Sequence, residues 1–236
     1  MLKVLYKNSF IGRKEENQDA FLVKYFDNGD KLLAVADGMG GGVMGAELAE
    51  QAIKMLDEDF SKSVKYSLSS KFEDLFYSIN TKLKEMLDGK KGGTTLCMVY
   101  YTKSVIHYIN IGDSRVWVCR DSKCINLTRD QNEYENKRLK NEYTDDEDKR
   151  FIFKILGMIS TNFEIEEVLK SQYWSAFGSF KLQVDDLLIL SSDGFHDYID
   201  ELSFCDDFSH GFNSILMDVK ERSTDNITAI ITKEKL

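Results

Sequence analysis

With 236 residues, of which 42% are hydrophobic and 30% charged, the chain has enough apolar material for one globular domain with a substantial core, and two domains would be crowded. Its 40 acidic against 31 basic residues leave a formal charge of −9, so a long polyanion meets net repulsion and DNA or RNA is a poor partner. There is no Pro, no Gly/Ser tract and no repeat of fixed period, so no linker divides the chain and residues 1–236 are expected to form a single domain.

The N-terminal "MLKVLYKNSFIGRK" has too short an apolar stretch for a signal peptide, and no later segment approaches a membrane span, which predicts a soluble, cytoplasmic protein that does not engage a membrane. Residues 20–26, "AFLVKYF", and 31–36, "KLLAVA", are apolar strands joined by "DNGD", whose Asn28-Gly29 pair favours a tight antiparallel hairpin. Next comes a run of five glycines from Gly38 to Gly45. It lacks the Gly-Lys-Ser/Thr of a P-loop, and Asp37 ahead of it would repel a pyrophosphate, so the loop calls for a cation. "GAELAEQAIKMLDEDF" sets Ala49, Ala52, Ile53, Leu56 and Phe60 on one helical face. "LSSKFEDLFYSINTKLKEMLDG" does the same with Leu68, Phe72, Leu75, Phe76, Ile79, Leu83, Met86 and Leu87, and Gly89 is a suitable stop.

From Gly93 the pattern changes to short strands, "TTLCMVYY", "SVIHYINIG", "RVWVCR" and "KCINLT", which predict an antiparallel meander. Residues 128–162 are densely charged and lack an apolar period, so they are expected to form a flap with short helices. Strands resume at "FKLQV" and "DLLILSS", two shorter helices are expected to flank Phe204–Ser209, and "NITAIIT" closes as a strand. Strands in blocks with two consecutive long helices give an α+β class in which helices cover antiparallel sheets. Cys97, Cys119, Cys124 and Cys205 lie in apolar or mixed segments without metal-like spacing, which suits buried thiols in a reducing compartment; a Cys119–Cys124 pairing stays open.

Comparison of the strand ends carries the chemistry. Asp37-Gly38, Gly112-Asp113 and Asp193-Gly194 close apolar strands, and Asp225 with Asn226 opens one. A lone Asp beside Gly is a common turn pair and reads as structural. Four such carboxylates gathered in one place would repel one another unless hard cations neutralised them, and an all-oxygen donor set selects Mg²⁺ or Mn²⁺ over zinc. Asp19 in "GRKEENQDAF" is a fifth candidate, with Arg13 and Lys14 upstream. Alone that cluster reads as a solvated face; beside a metal centre it could hold a phosphate oxygen. His107, His196 and His210 are scattered, and no cysteine has an Arg six positions later as a Cys-based phosphatase loop requires.

In order along the chain, "ENQDAF", "VADGMGGG", "GGTT", "GDSR", "LTRDQ", "SSDGFHD" and "TDNIT" resemble the motifs of the metal-dependent protein phosphatase family, type 2C, in its bacterial-type single-domain form. The resemblance implies a four-layer αββα sandwich, with two antiparallel sheets flanked by helices. It also implies hydrolysis of phosphoserine and phosphothreonine on proteins by a metal-activated water, without a covalent intermediate. By the family pattern Asp37 bridges two Mn²⁺ or Mg²⁺ ions, Gly38 offers its carbonyl, and Asp193 and Asp225 complete the binuclear centre. Asp113 with Asp193 matches a third, weaker metal position, and Asp19 matches the position that orders water around the second ion. Thr94 and Thr95 support this shell, and Ser114 with Arg115 brace the strand turn. The implied partners are phosphorylated proteins and a cognate Ser/Thr kinase, with the chain acting as a monomer.

Four positions depart from the family pattern. Met39 stands where many eukaryotic members carry His, Lys14 where the phosphate-gripping Arg is found, Gln131 where "LTxDH" has His, and Asp185 where a Gly often precedes the Asp matching Asp186. Lys lacks the bidentate fork of Arg, which predicts a weaker phosphate grip. Two alternatives remain at this level: a pseudophosphatase acting as a binding module, and a phosphatase for small phosphoesters.

Overall fold

A computed structural model describes residues 1–39, 44–60, 68–142, 159–160 and 177–236. The strands are β1 (Leu2–Phe10), β2 (Asp19–Tyr25), β3 (Lys31–Asp37), β4 (Gly93–Thr94), β5 (Leu96–Thr102) and β6 (Val105–Ile111). They continue with β7 (Arg115–Arg120), β8 (Lys123–Asn126), β9 (Ile159–Ser160), β10 (Phe177–Lys181), β11 (Leu187–Ser191) and β12 (Ile227–Glu234). The helices are α1 (Gly45–Phe60), α2 (Leu68–Leu87), α3 (Glu133–Leu139), the single turn α4 (Asp193–His196) and α5 (Glu201–Arg222). One five-stranded sheet has the order β1-β12-β11-β7-β8, the other β10-β6-β5-β3-β2, and both are antiparallel throughout.

Alternation along the central strands builds the layers, because successive side chains leave a strand on opposite faces. On β3, Leu33 and Val35 point between the sheets, whereas Leu32, Ala34 and Ala36 meet α1 and α2. On the other sheet, Val116, Val118, Leu188, Leu190 and Ile230 face inward, and Trp117, Ile189 and Ile231 pack under α5. Burial on both faces is why these strands read as nearly continuous apolar runs. The result is the αββα sandwich, with α1 and α2 on one outer face and α5 on the other.

The β2–β3 hairpin turns at Gly29, where φ is +86°, as the Asn-Gly pair predicts. Three features depart from the sequence reading. β1 is a full strand for which the sequence set no expectation, its apolar residues being interrupted by Lys3 and Lys7 and by Asn8-Ser9; it is an edge strand with an irregular register between Val4 and Tyr6. The region around Phe204–Ser209 lies inside one 22-residue helix, capped by the Asp200 side chain on the Ser203 amide, rather than between two short ones. Gly211 weakened the helical signal, yet the stripe Phe204, Phe208, Phe212, Ile215, Leu216 and Val219 continues across it.

The third correction concerns the cysteines. Cys119 on β7 and Cys205 on α5 form a disulfide, while Cys97 and Cys124 are free. The middle of the expected flap, residues 143–158, and its last two residues, 161–162, lie outside the described residues; the described parts include α3 and β9, and β9 pairs with β4. Among the described residues no helix is long and apolar enough to cross a membrane.

Leu190 is fully buried between the sheets. Leu190→Ala is expected to cost about 2–5 kcal/mol through lost transfer energy and a residual cavity. Urea denaturation at fixed pH measures this cost, and a loss under about 1 kcal/mol would show that the interface collapses to fill the space.

Candidate metal centre

Antiparallel pairing brings the five candidate carboxylates to one end of the sandwich. β2 begins opposite the end of β3, so Asp19 and Asp37 are direct register partners. β6 is two strands removed from β3 and runs the same way, so the turn carrying Asp113 reaches the same end. In the facing sheet β11 ends where β12 begins, which places Asp193 beside Asp225.

The backbone around Asp37 is fixed by Thr94 and Thr95. The Asp37 amide donates to Thr95 Oγ1 at 3.0 Å, and its carbonyl accepts from the Thr95 amide at 2.8 Å and from Thr94 Oγ1 at 3.0 Å. Thr95 Oγ1 also meets Ser114 Oγ at 2.7 Å, tying β5 to the Asp113 turn. Gly38 donates its amide to the Gln18 carbonyl at 2.9 Å, and a Cβ at this position would stand 2.2 Å from the Gly45 carbonyl oxygen. Only glycine allows that approach. The glycines at 40–42 lie outside the described residues.

Electrostatics marks the cluster as short of positive charge. Burial first, then the charges of Asp19, Asp193, Asp113 and Asp225, hold the Asp37 carboxyl well above the usual carboxylate range. Asp193 is raised well above it by burial and then by Asp113 and Asp225. Burial pushes Asp113 up to about 7, with Asp130 adding to it. It pushes Asp19 up to about 6 against hydrogen bonds from Thr228 and Ser192 that favour the charged form. Asp19 Oδ1 and Asp193 Oδ1 are buried without any protein partner. Unsatisfied carboxylate oxygens facing other carboxylates fit a hard cation. Among the described residues no three His, Cys, Asp or Glu side chains close into a ready-made cage, so the fit rests on charge and donor chemistry.

The basic pair divides. Lys14 Nζ stands 2.9 Å from Asp225 Oδ2. Burial alone would lower its pKa, but the contact with Asp225 and the fields of Asp193 and Asp37 raise it. Arg13 instead donates to the Glu221 carbonyl at the end of α5 and is not brought into the cluster.

Several residues that frame the site were not singled out in the sequence. Ser192 donates to Asp19 Oδ2 at 2.8 Å and accepts from the Thr228 amide at 3.0 Å. Asn226 donates to the Ile11 and Glu16 carbonyls at 2.8 and 2.9 Å, and its Oδ1 accepts from the Gln18 amide at 2.9 Å. The signal available was an amide side chain next to Asp225. Gln131, at the position of the family His, clamps the Asp113 turn: its Oε1 accepts from the Gly112 amide at 2.9 Å and its Nε2 donates to the Asn110 carbonyl at 3.0 Å. Gly112 has φ of +108°, and a Cβ there would meet Thr95 Cγ2 at 2.5 Å. Arg115 binds both oxygens of Asp130 at 2.8 and 2.7 Å and reaches Glu201 at 3.2 Å, a brace for the same turn. His196 is buried with Nδ1 3.0 Å from Ser191 Oγ, and His107 Nδ1 lies 2.7 Å from Ser179 Oγ across the β6–β10 pair.

A model of the protein phosphatase 2C family matches residues 8–229. A putative protein phosphatase of Mycoplasma genitalium is 23% identical over 238 residues, covering 92% of this chain and 90% of its own. A putative protein phosphatase 2C-type of Streptococcus pyogenes is 34% identical over 128 residues, about half of each chain (51% and 52%). Among solved structures, the S. agalactiae serine/threonine phosphatase superposes with a TM-score of 0.82 at 21% identity, covering 100% of both chains. The catalytic domain of the phosphatase PstP, solved in complex with two manganese ions, superposes at 0.76 with 18% identity and 99% coverage of each.

The raised carboxyls set a pH dependence. Because their folded pKa values exceed the unfolded ones, the ion-free fold binds more protons than the unfolded chain between about pH 4 and 7, so its stability falls as pH rises through that window. Thermal unfolding of EDTA-treated protein should give a lower Tm at pH 7.5 than at pH 5, with the larger rise on adding Mn²⁺ at pH 7.5. An equal rise at both pH values would contradict the assignment.

Proposed function

The chain belongs to the protein phosphatase 2C family, and we propose that it is a Mg²⁺- or Mn²⁺-dependent phosphatase acting on phosphoserine and phosphothreonine of proteins. The observation that carries this proposal is the set of five carboxylates at one end of the sandwich, with buried oxygens on Asp19 and Asp193 that no protein donor satisfies. In it, Asp37, the Gly38 carbonyl, Asp193 and Asp225 would hold two divalent ions, Asp19 would order water beside them, and Asp113 with Asp193 would form a third, weaker position. When bound, the ions supply Lewis acidity and a water acidified enough to attack phosphorus directly.

The chain's own groups do the rest. Thr94 and Thr95 fix the backbone of Asp37, so its carboxylate keeps its place when an ion binds. Lys14, already seated among the carboxylates, is the side chain placed to hold a phosphate oxygen, while Arg13 serves the loop instead. Met39 follows Gly38 and offers no proton, so the leaving alkoxide takes its proton from water. Neither free thiol is placed to attack phosphate: Cys97 is fully buried between the sheets, and Cys124 lies against Glu201 under α5.

The finer parts of the proposal are a single catalytic domain over residues 1–236, a monomer, and a cognate Ser/Thr kinase whose products it reverses. A cytoplasmic location also belongs to it. The free thiols Cys97 and Cys124 support that location and the Cys119–Cys205 disulfide weighs against it.

Turnover of a phosphothreonine peptide is expected with Mn²⁺ and not in excess EDTA. Asp37→Asn should cut turnover by at least about 100-fold, since even outer partners of metal ligands cost 10–100-fold, and should weaken Mn²⁺ binding in calorimetry. Lys14→Ala should raise KM and leave Mn²⁺ affinity undiminished, because a phosphate contact shared by ground and transition states is uniform binding. Lys14→Arg should lower KM through the planar fork. Wild-type turnover in Asp37→Asn, or an unchanged KM in Lys14→Ala, would overturn the corresponding role, and a preference for small phosphoesters over the peptide would overturn the substrate class.

A further inference from the structure

Three of the four cysteines meet on the outer face of one sheet, away from the carboxylates. Cys119 on β7 is bonded to Cys205 on α5, and Cys124 on β8 is the direct register partner of Cys119. All three border the core under α5. The β7–β8 hairpin turns through Asp121 and Ser122, with φ of 49° and 59°, the pair of left-handed residues that a type I′ turn requires. In a two-residue hairpin the closing pair, here Arg120 and Lys123, exchanges the hydrogen bonds. The next pair, Cys119 and Cys124, is then of the non-hydrogen-bonded kind, with Cα atoms about 4.5 Å apart and side chains at their closest. That separation lies inside the range a disulfide spans. Cys119 therefore has two partners within bonding reach and can hold only one of them.

The third thiol is kept in hand. Cys124 Sγ lies 3.2 Å from Glu201 Oε2, to which it donates, and burial with that carboxylate pushes the thiol up to about 12. Glu201 is also the residue whose other oxygen accepts from Arg115 at 3.2 Å, and it stands one helical turn before Cys205 on α5.

We propose that Cys119, Cys124 and Cys205 form a thiol–disulfide exchange relay in which Cys124 attacks Cys119 and passes the cross-link from helix α5 to strand β8. The Cys124 proton goes to solvent base once loosening of α5 exposes the thiol and draws Glu201 away from it. The Cys124–Cys119 bond forms as the Cys119–Cys205 bond breaks, the electron pair leaves on Cys205 Sγ, and that sulfur takes up a proton. One disulfide is exchanged for another, so neither oxidant nor reductant is consumed. The present link joins positions 86 apart in sequence and the alternative positions only five apart, so chain entropy favours the hairpin link, and the docking of α5, which holds Cys205 against Cys119, is what offsets it. Loosening α5 from the sheet removes that hold, and the exchange leaves Cys205 as a free thiol on a helix kept in place by its packing and by the Arg115–Glu201 and Arg13–Glu221 contacts.

Disulfide mapping tests the relay without reference to phosphatase activity. Cys205→Ser protein treated with oxidised glutathione should form the Cys119–Cys124 bond, recovered after trypsin as residues 116–120 linked to 124–129. Wild-type protein carrying the Cys119–Cys205 bond, held at pH 8.5 in mild urea without added oxidant, acid-quenched and then alkylated, should lose label at Cys124 and gain it at Cys205. Cys124→Ser protein should show no gain at Cys205 under the same conditions. Failure of the Cys119–Cys124 bond to form in Cys205→Ser would overturn the geometry. Label confined to Cys124 in the wild type, or gained at Cys205 without Cys124, would overturn the exchange.

Discussion

Five carboxylates gathered at one end of a two-sheet sandwich repel one another, and much of the surrounding structure opposes their separation. Each is carried at or beside the end of a strand whose other residues are locked into a core on one or both faces. Asp37 terminates β3, which is buried against both the facing sheet and the α1–α2 layer. Asp193 follows β11, every residue of which is buried. A loop bearing these groups would open under the repulsion that, after burial, raises Asp37 and Asp193. A strand end cannot move without breaking ladder hydrogen bonds and exposing apolar surface.

Neutral and cationic braces around the cluster complete the arrangement. Gln131 holds the Gly112 turn through amide bonds at both ends of its side chain, and Arg115 gathers Asp130 and Glu201 beside it. The Arg115 guanidinium is held above its ordinary pKa by Asp130, Asp197 and Glu201, although burial works the other way. The cation nearest Asp113 in sequence is thus committed to other carboxylates. Lys14, the cation that does reach the cluster, sits on Asp225 and leaves Asp19 and Asp193 with unpartnered oxygens.

Most of the fold was legible because burial is two-sided in the strands and one-sided in α1 and α2, so apolar runs and 3.6-residue stripes stand out in the sequence. Four of the five Asp positions were legible for a related reason: Asp37, Asp113, Asp193 and Asp225 each stand at a strand end next to Gly or Asn, whereas Asp19 was read from its motif. What stayed hidden depended on contacts between distant segments. β1 becomes a strand because β12 offers it an edge, and its own pattern is thin. The Cys119–Cys205 bond joins segments 86 residues apart, whereas the sequence pointed to buried thiols and left open only a pairing of Cys119 with its near neighbour Cys124. Arg13 and Lys14 are adjacent and alike in charge, yet one turns to the Glu221 carbonyl and the other to Asp225. Asp185, at a position where the family often carries Gly, does have the left-handed φ of +74° that favours glycine, and it pairs with Lys233 at 2.9 Å.

Asn226 connects the two halves of the proposed chemistry. Its side chain fixes the Ile11 and Glu16 carbonyls and the Gln18 amide, which together hold the loop that presents Lys14. The Gln18 carbonyl in turn receives the Gly38 amide beside Asp37. Asn226 also directly follows Asp225, the carboxylate that Lys14 contacts. A shift of Asp225 therefore carries the Lys14 loop with it, so the position proposed to hold phosphate and those proposed to hold the ions move as one body. Asn226 is buried, so removing its side chain would leave two carbonyls and an amide without their partner, at about 1–3 kcal/mol for each that water does not reach. The registry between cation and carboxylates thus leans on one amide side chain, and an acidic group in its place would lose the two donated bonds and add a further negative charge to a cluster already short of positive ones.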